Sequence, residues 1–154
     1  MVEILEVESV EQLEQARSLL RRYQSELPAA YRFPDSEWQN LPGDYRPPGG
    51  ALLLATVAGQ PAGCVGLRSF PLDGACEMKR LYVPREFRGA KLGVSLIEHI
   101  IQVARTLGYS RMRLDTHLPT MGTAVELYSR FGFADVAPWP LPRVQGLSYL
   151  ELPL

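Results

Sequence analysis

One segment constrains the fold most: an apolar strand that runs through a short proline-containing turn into a long amphipathic helix. It reads EMKRLYVPREFRGAKLGV over residues 77–94, and its strand ends at Val83. The sequence RGAKLG of residues 88–93 then opens the helix. The first N–H groups of a helix have no intrahelical partners and lie at the positive end of its dipole. Because two glycines and two cationic side chains stand beside these groups, the turn is a suitable seat for a phosphate.

Hydrophobic periodicity predicts a succession of strands and helices around this segment. Strand-like patterns cover residues 3–7, 51–57, 62–70, 76–83, 111–116, 133–137 and 147–152, and helical patterns cover residues 10–26, 36–41, 91–107 and 120–131. Turn residues join the strands between 51 and 83, which predicts an antiparallel meander. The strand at 111–116 follows the long helix, so we expect it to lie parallel to the strand before that helix. A chain of 154 residues suits one α/β domain over residues 1–154, with a mixed, mostly antiparallel sheet flanked by helices.

The composition argues against several functional classes. The formal net charge is −1 at pH 7, which favours neither a nucleic acid nor an anionic membrane as a partner. No stretch approaches the length of about 18 apolar residues that a membrane-spanning helix needs, and the N-terminus lacks the pattern of a signal peptide. We therefore expect a cytoplasmic protein, with Cys64 and Cys76 as buried free thiols. Two cysteines and the distant His99 and His117 form no metal-ligand pattern, which predicts no metal site.

The turn at residues 88–93 differs from the common nucleotide-binding motifs. A dinucleotide fingerprint requires G-x-G-x-x-G after the first strand of a βαβ unit, and a P-loop requires G-x-x-x-x-G-K-[ST]. Neither pattern occurs in this chain. The turn instead resembles the phosphate-binding turn of the GNAT family of acyl-CoA-dependent N-acetyltransferases. Arg88 and Gly93 match that family's pattern, and Lys91 stands where glycine is usual.

Two further motifs carry the resemblance to the GNAT family. The sequence KRLYV ends the strand at Val83, and AVELYSRFGF covers residues 124–133, so that the three motifs together extend over residues 75–136. The resemblance implies a single-domain GNAT-like fold whose central sheet splays between its fourth and fifth strands after Val83. It also implies acetyl-CoA as the acyl donor, direct transfer to an amine and no metal.

The resemblance further implies where the acyl donor binds. Backbone groups of Leu81, Tyr82 and Val83 would pair with the pantetheine arm. The pyrophosphate would rest on the turn and the first residues of the helix, namely Arg88, Gly89, Ala90, Lys91, Leu92, Gly93 and Val94. The family has an asparagine seven residues before its motif tyrosine, and here Met121 replaces it, so one contact to the cofactor is missing.

Acyl transfer to an amine needs a neutral amine and a proton for the leaving thiolate. Tyr128 occupies the tyrosine of the motif A-x-x-L-Y-x-x-x-G-F, which in the family faces the sulfur of CoA, and it is the candidate acid. The apolar helical face around Tyr128 also suits a core aromatic. Glu77 lies six residues before Val83, where many family members have a carboxylate, and it is the candidate base. An ion pair with Lys79 or Arg68 is the alternative role for Glu77.

Acceptor recognition is expected from the aromatic-rich segment 23–45 and from the loop 138–146, which flank the cleft in the family fold. Tyr31 and Trp38 are candidate contacts from the first segment, and His117 is a candidate at the end of its strand. Aromatic side chains with a few charges suit a small-molecule amine. The amine of a protein or peptide is the alternative acceptor.

The alternative to an enzyme is a regulatory module that binds acyl-CoA without catalysing a transfer. The departures from the family pattern at Lys91 and Met121 are the features that favour it. Family members are often dimers, which leaves a homodimer open.

Overall fold

The structure is a computed structural model that describes residues 1–138 and 146–154, with the backbone alone for residues 117–123. Its strands are β1 (Val2–Glu6), β2 (Ala51–Val57), β3 (Gln60–Ser69), β4 (Ala75–Tyr82), β5 (Arg111–His117), β6 (Ala134–Asp135) and β7 (Leu147–Pro153). Its α-helices are α1 (Val10–Glu26), α2 (Asp35–Asn40), α3 (Leu92–Thr106) and α4 (Leu118–Phe131), and short 3-10 turns occur at Ala29–Tyr31, Gly43–Tyr45 and Arg85–Phe87. Each helix and strand predicted from periodicity is present, with its ends shifted by a residue or two.

Helix α1 begins where its local sequence directs it to begin. The Ser9 hydroxyl accepts a hydrogen bond from the Gln12 N–H at 3.1 Å, and the Gln12 side-chain oxygen accepts one from the Ser9 N–H at 3.0 Å. This reciprocal capping box satisfies two N–H groups that the helix itself leaves open. The predicted start of the helix is therefore confirmed.

The strands form one sheet of seven in the order β1-β2-β3-β4-β5-β7-β6. Strands β4 and β5 pair in parallel, as predicted, and the other pairs of neighbours in the described sheet are antiparallel. The parallel ladder is short, since residues 75–77 pair with residues 111–113 and the two strands then separate. The splay between the fourth and fifth strands is confirmed, but the expectation that it starts after Val83 is wrong, because β4 leaves its partner after Glu77.

Helices cover both faces of the sheet. On one face α3 and α4 pack on the inward side chains of β2 to β5, with Leu96, Ile97 and Ile100 completely buried. On the other face α1 and the segment 27–45 cover the sheet through a second apolar cluster that includes Leu20 and Leu54. The sheet therefore lies between two apolar cores, one on each face.

Cys64 and Cys76 are free and buried, as predicted. Burial raises the pKa of each thiol to about 12, so both side chains stay protonated and behave as small apolar groups. Among the described residues, no helix is both long and apolar enough to cross a membrane.

Replacing Gly50 by Ala is expected to destabilise the fold by about 2–3 kcal/mol, because the added methyl group meets main-chain atoms. A Cβ on Gly50 would lie 2.2 Å from the carbonyl oxygen of Asp44 and 2.6 Å from that of Leu67. The adjacent Gly49 is a matched control, since a Cβ there would lie 3.5 Å from the Tyr109 hydroxyl, an ordinary contact. Urea-induced unfolding measures both variants, and equal stability of Gly50→Ala and Gly49→Ala would contradict the expectation.

Candidate active site

Strand β4 contains a bulge just past the point where it leaves β5. Lys79 pairs with Gly66 on β3, whereas Tyr82 pairs with Cys64, so β4 contains one more residue than its partner over this stretch. Arg80 lies inside the bulge with a φ of 63°. A non-glycine residue in this left-handed region costs about 1–2 kcal/mol, so contacts elsewhere must stabilise Arg80 there.

The side chain of Arg80 supplies those contacts. Its guanidinium donates two hydrogen bonds of 2.7 Å to the two carboxylate oxygens of Glu37 on α2, and it stacks 3.8 Å from the centre of the Phe33 ring. A bidentate arginine–carboxylate pair has a fixed geometry as well as a favourable energy. The segment that contains α2 therefore holds the bulge in position, and with it the opening between β4 and β5.

The opening is a continuous cleft with two halves. The charged half has a volume of about 370 Å³, and its polar lining includes Arg32, Glu37, Arg68, Lys79, Arg80 and Asp115. The glycine half has a volume of about 560 Å³, and its lining includes Tyr82, Val83, Arg88, Gly93, Ala124 and Leu127. Four residues line both halves, namely Tyr23, Leu27, Leu81 and Tyr128. A ligand that passes from the start of α3 to the charged half must therefore cross Tyr128.

The start of α3 forms one end of the glycine half. Gly93 has open space where a Cβ would be, with no atom within 4 Å. The Arg88 side chain donates a hydrogen bond of 2.8 Å to the Val83 carbonyl and so fixes the turn against the end of β4. The N-cap residue Lys91 makes no side-chain cap hydrogen bond. The start of α3 thus combines the positive end of a 15-residue helix with free space above a glycine.

Lys91 adopts a left-handed conformation with a φ of 60°. Glycine takes this conformation without the steric cost that a Cβ brings, which explains in physical terms why the family pattern has glycine here. The Lys91 side chain is exposed, so the departure strains the backbone without filling the cleft.

The predicted cofactor residues differ in whether they line the glycine half. Five of them do, namely Leu81, Tyr82, Val83, Arg88 and Gly93. Gly89, Ala90 and Lys91 are exposed in the turn, and Val94 is half-buried. The side chain of Leu92 is buried in the core on the α3 face, which leaves its backbone as the only part that can face a ligand.

Tyr128 lies at the junction of the two halves and is 4% exposed. Its ring packs edge-on against Phe133, with the ring centres 5.7 Å apart. Burial raises the pKa of the Tyr128 hydroxyl, so the side chain is a neutral phenol at physiological pH. The core role and the catalytic role that the sequence left open are thus compatible, since the same buried ring lines the cleft.

Glu77 lies beside the charged half rather than on its wall. Its carboxylate is 2.9 Å from Arg68 Nε and 3.8 Å from Lys79 Nζ. Lys79 is also 3.6 Å from the Asp115 carboxylate on the facing strand. Both ion-pair partners that the sequence offered for Glu77 are therefore present, and of the two carboxylates beside Lys79 it is Asp115 that lines the cleft.

The candidate acceptor residues separate in the structure. Tyr31 lines the charged half. Trp38 does not: its ring packs against Phe33 and its indole N–H donates a hydrogen bond of 2.6 Å to the Gln24 side chain. The side chains of His117 and Met121, together with Trp139, lie outside the described residues.

Sequence reasoning missed two features of the charged half. The first is the Arg80–Glu37 pair, which joins residues 43 positions apart and leaves no local signal. The second is Thr116, which lines the cleft, is 6% exposed, and has a hydroxyl without a hydrogen-bond partner in the described part of the chain. Buried polar groups are seldom left unpaired, and an unoccupied ligand position is one reason for an exception.

Comparison with known proteins agrees with this geometry. A family model described as the Acetyltransferase (GNAT) family matches residues 13–133. An uncharacterized N-acetyltransferase of Schizosaccharomyces pombe is 41% identical over 149 residues, which cover 93% of this chain and 91% of that protein. The N-acetylaspartate synthetase of Danio rerio is 32% identical over 91 residues, which cover 59% of this chain and 32% of that protein. The PaiA N-acetyltransferase of Thermoplasma acidophilum, solved in complex with coenzyme A, shares the fold at a TM-score of 0.77 and 17% identity, over 100% of this chain and 99% of that one.

These findings define the class of the protein as an acyltransferase built around a cleft between two parted strands. More particularly, the chain belongs to the GNAT family of acetyltransferases. The alternative of a binding module without catalysis is accordingly not retained.

Proposed function

We propose that this enzyme transfers an acetyl group from acetyl-CoA directly to the primary amine of a small molecule. The continuous cleft carries the proposal, because it joins a helix start suited to phosphate with a charged chamber suited to a polar amine. A cytoplasmic enzyme is part of the proposal, and the two free buried thiols support it. A homodimer is compatible with it, since family members are often dimers.

The glycine half would hold the acyl donor, which supplies the acetyl group as a reactive thioester. The N–H groups at the start of α3 and the Arg88 guanidinium suit the pyrophosphate, and the open position at Gly93 allows a ligand to approach the backbone closely. Backbone groups of Leu81, Tyr82 and Val83 line the way from the turn towards the junction. They would align the extended arm of the donor as an added strand is aligned.

Tyr128 would donate the proton that the leaving sulfur needs. A general acid must carry its proton at the working pH and lie beside the path of the reacting group. Burial raises the pKa of Tyr128, which satisfies the first condition, and its position at the junction supports the second.

Glu77 is retained as the proposed base, acting through a water, and Asp115 is the second carboxylate of the same network. Lys79 lies between the two, 3.8 Å from Glu77 and 3.6 Å from Asp115. An ammonium entering the charged half must lose a proton before it attacks the thioester. The network provides an anion on each side of the lysine for that proton.

The size of the charged half supports a small acceptor. Its volume of about 370 Å³ lies at the lower end of the range of ligand pockets. The relative from Danio rerio carries the name of a synthetase for N-acetylaspartate, itself a small molecule. Tyr31 is the aromatic residue of segment 23–45 that we retain as an acceptor contact, whereas Trp38 is not retained because its ring is engaged with Phe33. His117 stays a prediction.

Acetyl-CoA should raise the unfolding temperature, because a ligand that binds only the native state stabilises it. At 100 times Kd the gain is about 2.7 kcal/mol, or roughly 5–10 °C for a domain of this size. Gly93→Leu should stay folded without ligand, since leucine is a good helix former and its side chain would enter open space, yet it should lose most of the shift by filling the approach. Ser95→Ala, further along the same helix, is the control and should keep the shift.

Thiol release from acetyl-CoA with a panel of small amines then tests transfer itself. Release with at least one small amine supports the proposal. The absence of any thermal shift, or release only with peptide or protein amines, would contradict it.

Tyr128→Phe should lower kcat by about a hundredfold and leave the thermal shift with acetyl-CoA unchanged, because only the hydroxyl is removed. Tyr109→Phe is the matched control, since that hydroxyl donates its hydrogen bond to the Gly49 carbonyl, away from the cleft lining. Steady-state kinetics of both variants give the comparison. Unchanged turnover in Tyr128→Phe would exclude the acid role.

Glu77→Gln should depress kcat/KM most at low pH, where more of the acceptor is protonated and a base is needed most. Asp115→Asn makes the same chemical change on the facing strand. The pH profiles of both variants decide between the two carboxylates. A profile altered only in Asp115→Asn would assign the base to Asp115 and leave Glu77 to position Lys79.

A further inference from the structure

A row of charges crosses the sheet beside the charged half. Four residues on adjacent strands face one another in succession. Arg68 on β3 is opposite Glu77 on β4, and Glu77 is in turn opposite Arg113 on β5. Arg113 is opposite Glu151 on β7. Arg68 and Glu77 are 2.9 Å apart, and Arg113 and Glu151 are 2.6 Å apart, both at hydrogen-bond distance. These four side chains therefore neutralise one another in pairs.

Lys79 is different, because it lies just past the point where β4 and β5 part. Its ammonium is 3.8 Å from Glu77 and 3.6 Å from Asp115, within ion-pair range but beyond hydrogen-bond distance. No hydrogen bond found in the described part of the chain uses its three N–H donors. The side chain is only 17% exposed, so water reaches it poorly. A largely buried ammonium with open donors gains most from an acceptor placed in the cleft.

Thr116 lies next to Asp115 on the facing strand, and its hydroxyl lacks a partner among the described residues. That hydroxyl oxygen is buried, and neighbouring residues of a strand point to opposite faces of the sheet, so Thr116 does not share the side on which Asp115 meets Lys79. The open donors beside Asp115 are therefore those of Lys79.

The neighbouring cation is not free for such a group. Arg80 uses two guanidinium nitrogens on the two oxygens of Glu37, both at 2.7 Å, so that its charge is matched within the protein. Asp115 has a side chain that is 33% exposed on the wall of the same half. Besides the exposed Arg32, the charged half thus presents a largely buried cation and an anion 3.6 Å apart, Lys79 and Asp115. This arrangement is complementary to a molecule that carries both charges close together.

Resting on the proposed function, we propose that the acceptor is an amino acid, whose carboxylate binds Lys79 while its amine faces Asp115 and Tyr128. An amine without a carboxylate would bring its positive charge towards Lys79 and leave the open donors unpaired. A peptide N-terminus has an amide in place of the α-carboxylate and would leave them with a weaker acceptor. The opposite charges of Lys79 and Asp115 therefore select for a zwitterion.

Matched acceptors test the proposal in the unmodified enzyme. Thiol release from acetyl-CoA is measured with L-aspartate, L-glutamate, L-phenylalanine and glycine. Each is compared with its α-amide and with the amine that lacks the α-carboxylate, and a short peptide with a free N-terminus is added. We expect kcat/KM for the best amino acid to exceed that for its amide by about tenfold or more. Equal or greater activity with amides, plain amines or the peptide would overturn the proposal.

Lys79→Met removes the charge and keeps an unbranched apolar side chain. It should raise KM for the best amino acid by about tenfold or more while changing kcat less, and it should affect the matched amide by less than about twofold. Lys79→Arg restores the positive charge and should recover part of the affinity for the amino acid, with the matched amide again little affected. Arg105→Gln, on the exposed end of α3, is the control and should behave as the parent. Equal losses for acid and amide in Lys79→Met would contradict a carboxylate contact.

The failure of this inference is distinguishable from failure of the proposed function. The thermal shift with acetyl-CoA confirms in every variant that the protein is folded and the donor binds. A parent enzyme that acetylates only small amines without a carboxylate keeps the proposed function and overturns the amino-acid acceptor. An enzyme that shows the shift but releases thiol with none of the acceptors contradicts both.

Discussion

The break in the ladder between β4 and β5 is the constraint on which the rest of the structure depends. Past residues 77 and 113, each strand has backbone N–H and C=O groups that its neighbour no longer pairs. Such groups in a protein interior must find other partners, from the protein, from water or from a ligand. The cleft is thus a place where the fold leaves its own hydrogen bonding incomplete, and an extended ligand is the natural completion of it.

The break itself is held from a distance. Arg80 adopts a backbone conformation that is unfavourable for any residue with a Cβ. Its hydrogen bonds to Glu37 and its stacking on the Phe33 ring offset that cost. The short helix α2 would otherwise look like a peripheral connection. Because α2 carries Glu37, which binds Arg80, this helix helps to shape the cleft. The two halves of the cleft differ in chemistry. The glycine half offers backbone groups and open space, whereas the charged half offers charged side chains.

Much of the fold could be predicted because its signals are local. Periodicity located the strands and helices, and the cap at the start of α1 is formed by Ser9 and Gln12, which are three residues apart in the sequence. The position of the splay could not be predicted, since no local pattern marks Glu77 as the last residue of β4 that pairs with β5. The left-handed Arg80 beyond it is equally silent in the sequence, because its partner Glu37 lies 43 residues away. The contacts of Trp38 could not be predicted for a related reason: an aromatic residue in an irregular segment gives no sign of whether it faces a ligand or, as here, Phe33 and Gln24. For Glu77 both proposed partners were visible in the sequence, but only the structure shows that it holds both at once and leaves Asp115 on the wall.

The strained Lys91 has a consequence for an enzyme that handles a reactive thioester. The chain has 16 lysines and arginines, and only Lys79 and Lys91 are lysines. A guanidinium stays protonated and is a poor target for acylation, whereas an exposed lysine amine is a ready one. Lys79 is largely buried between two carboxylates, and Lys91 stands exposed on the turn before α3. The chain thus has a single exposed lysine, and accidental acetylation of that residue would remove a positive charge from the turn that we propose as the seat of the pyrophosphate.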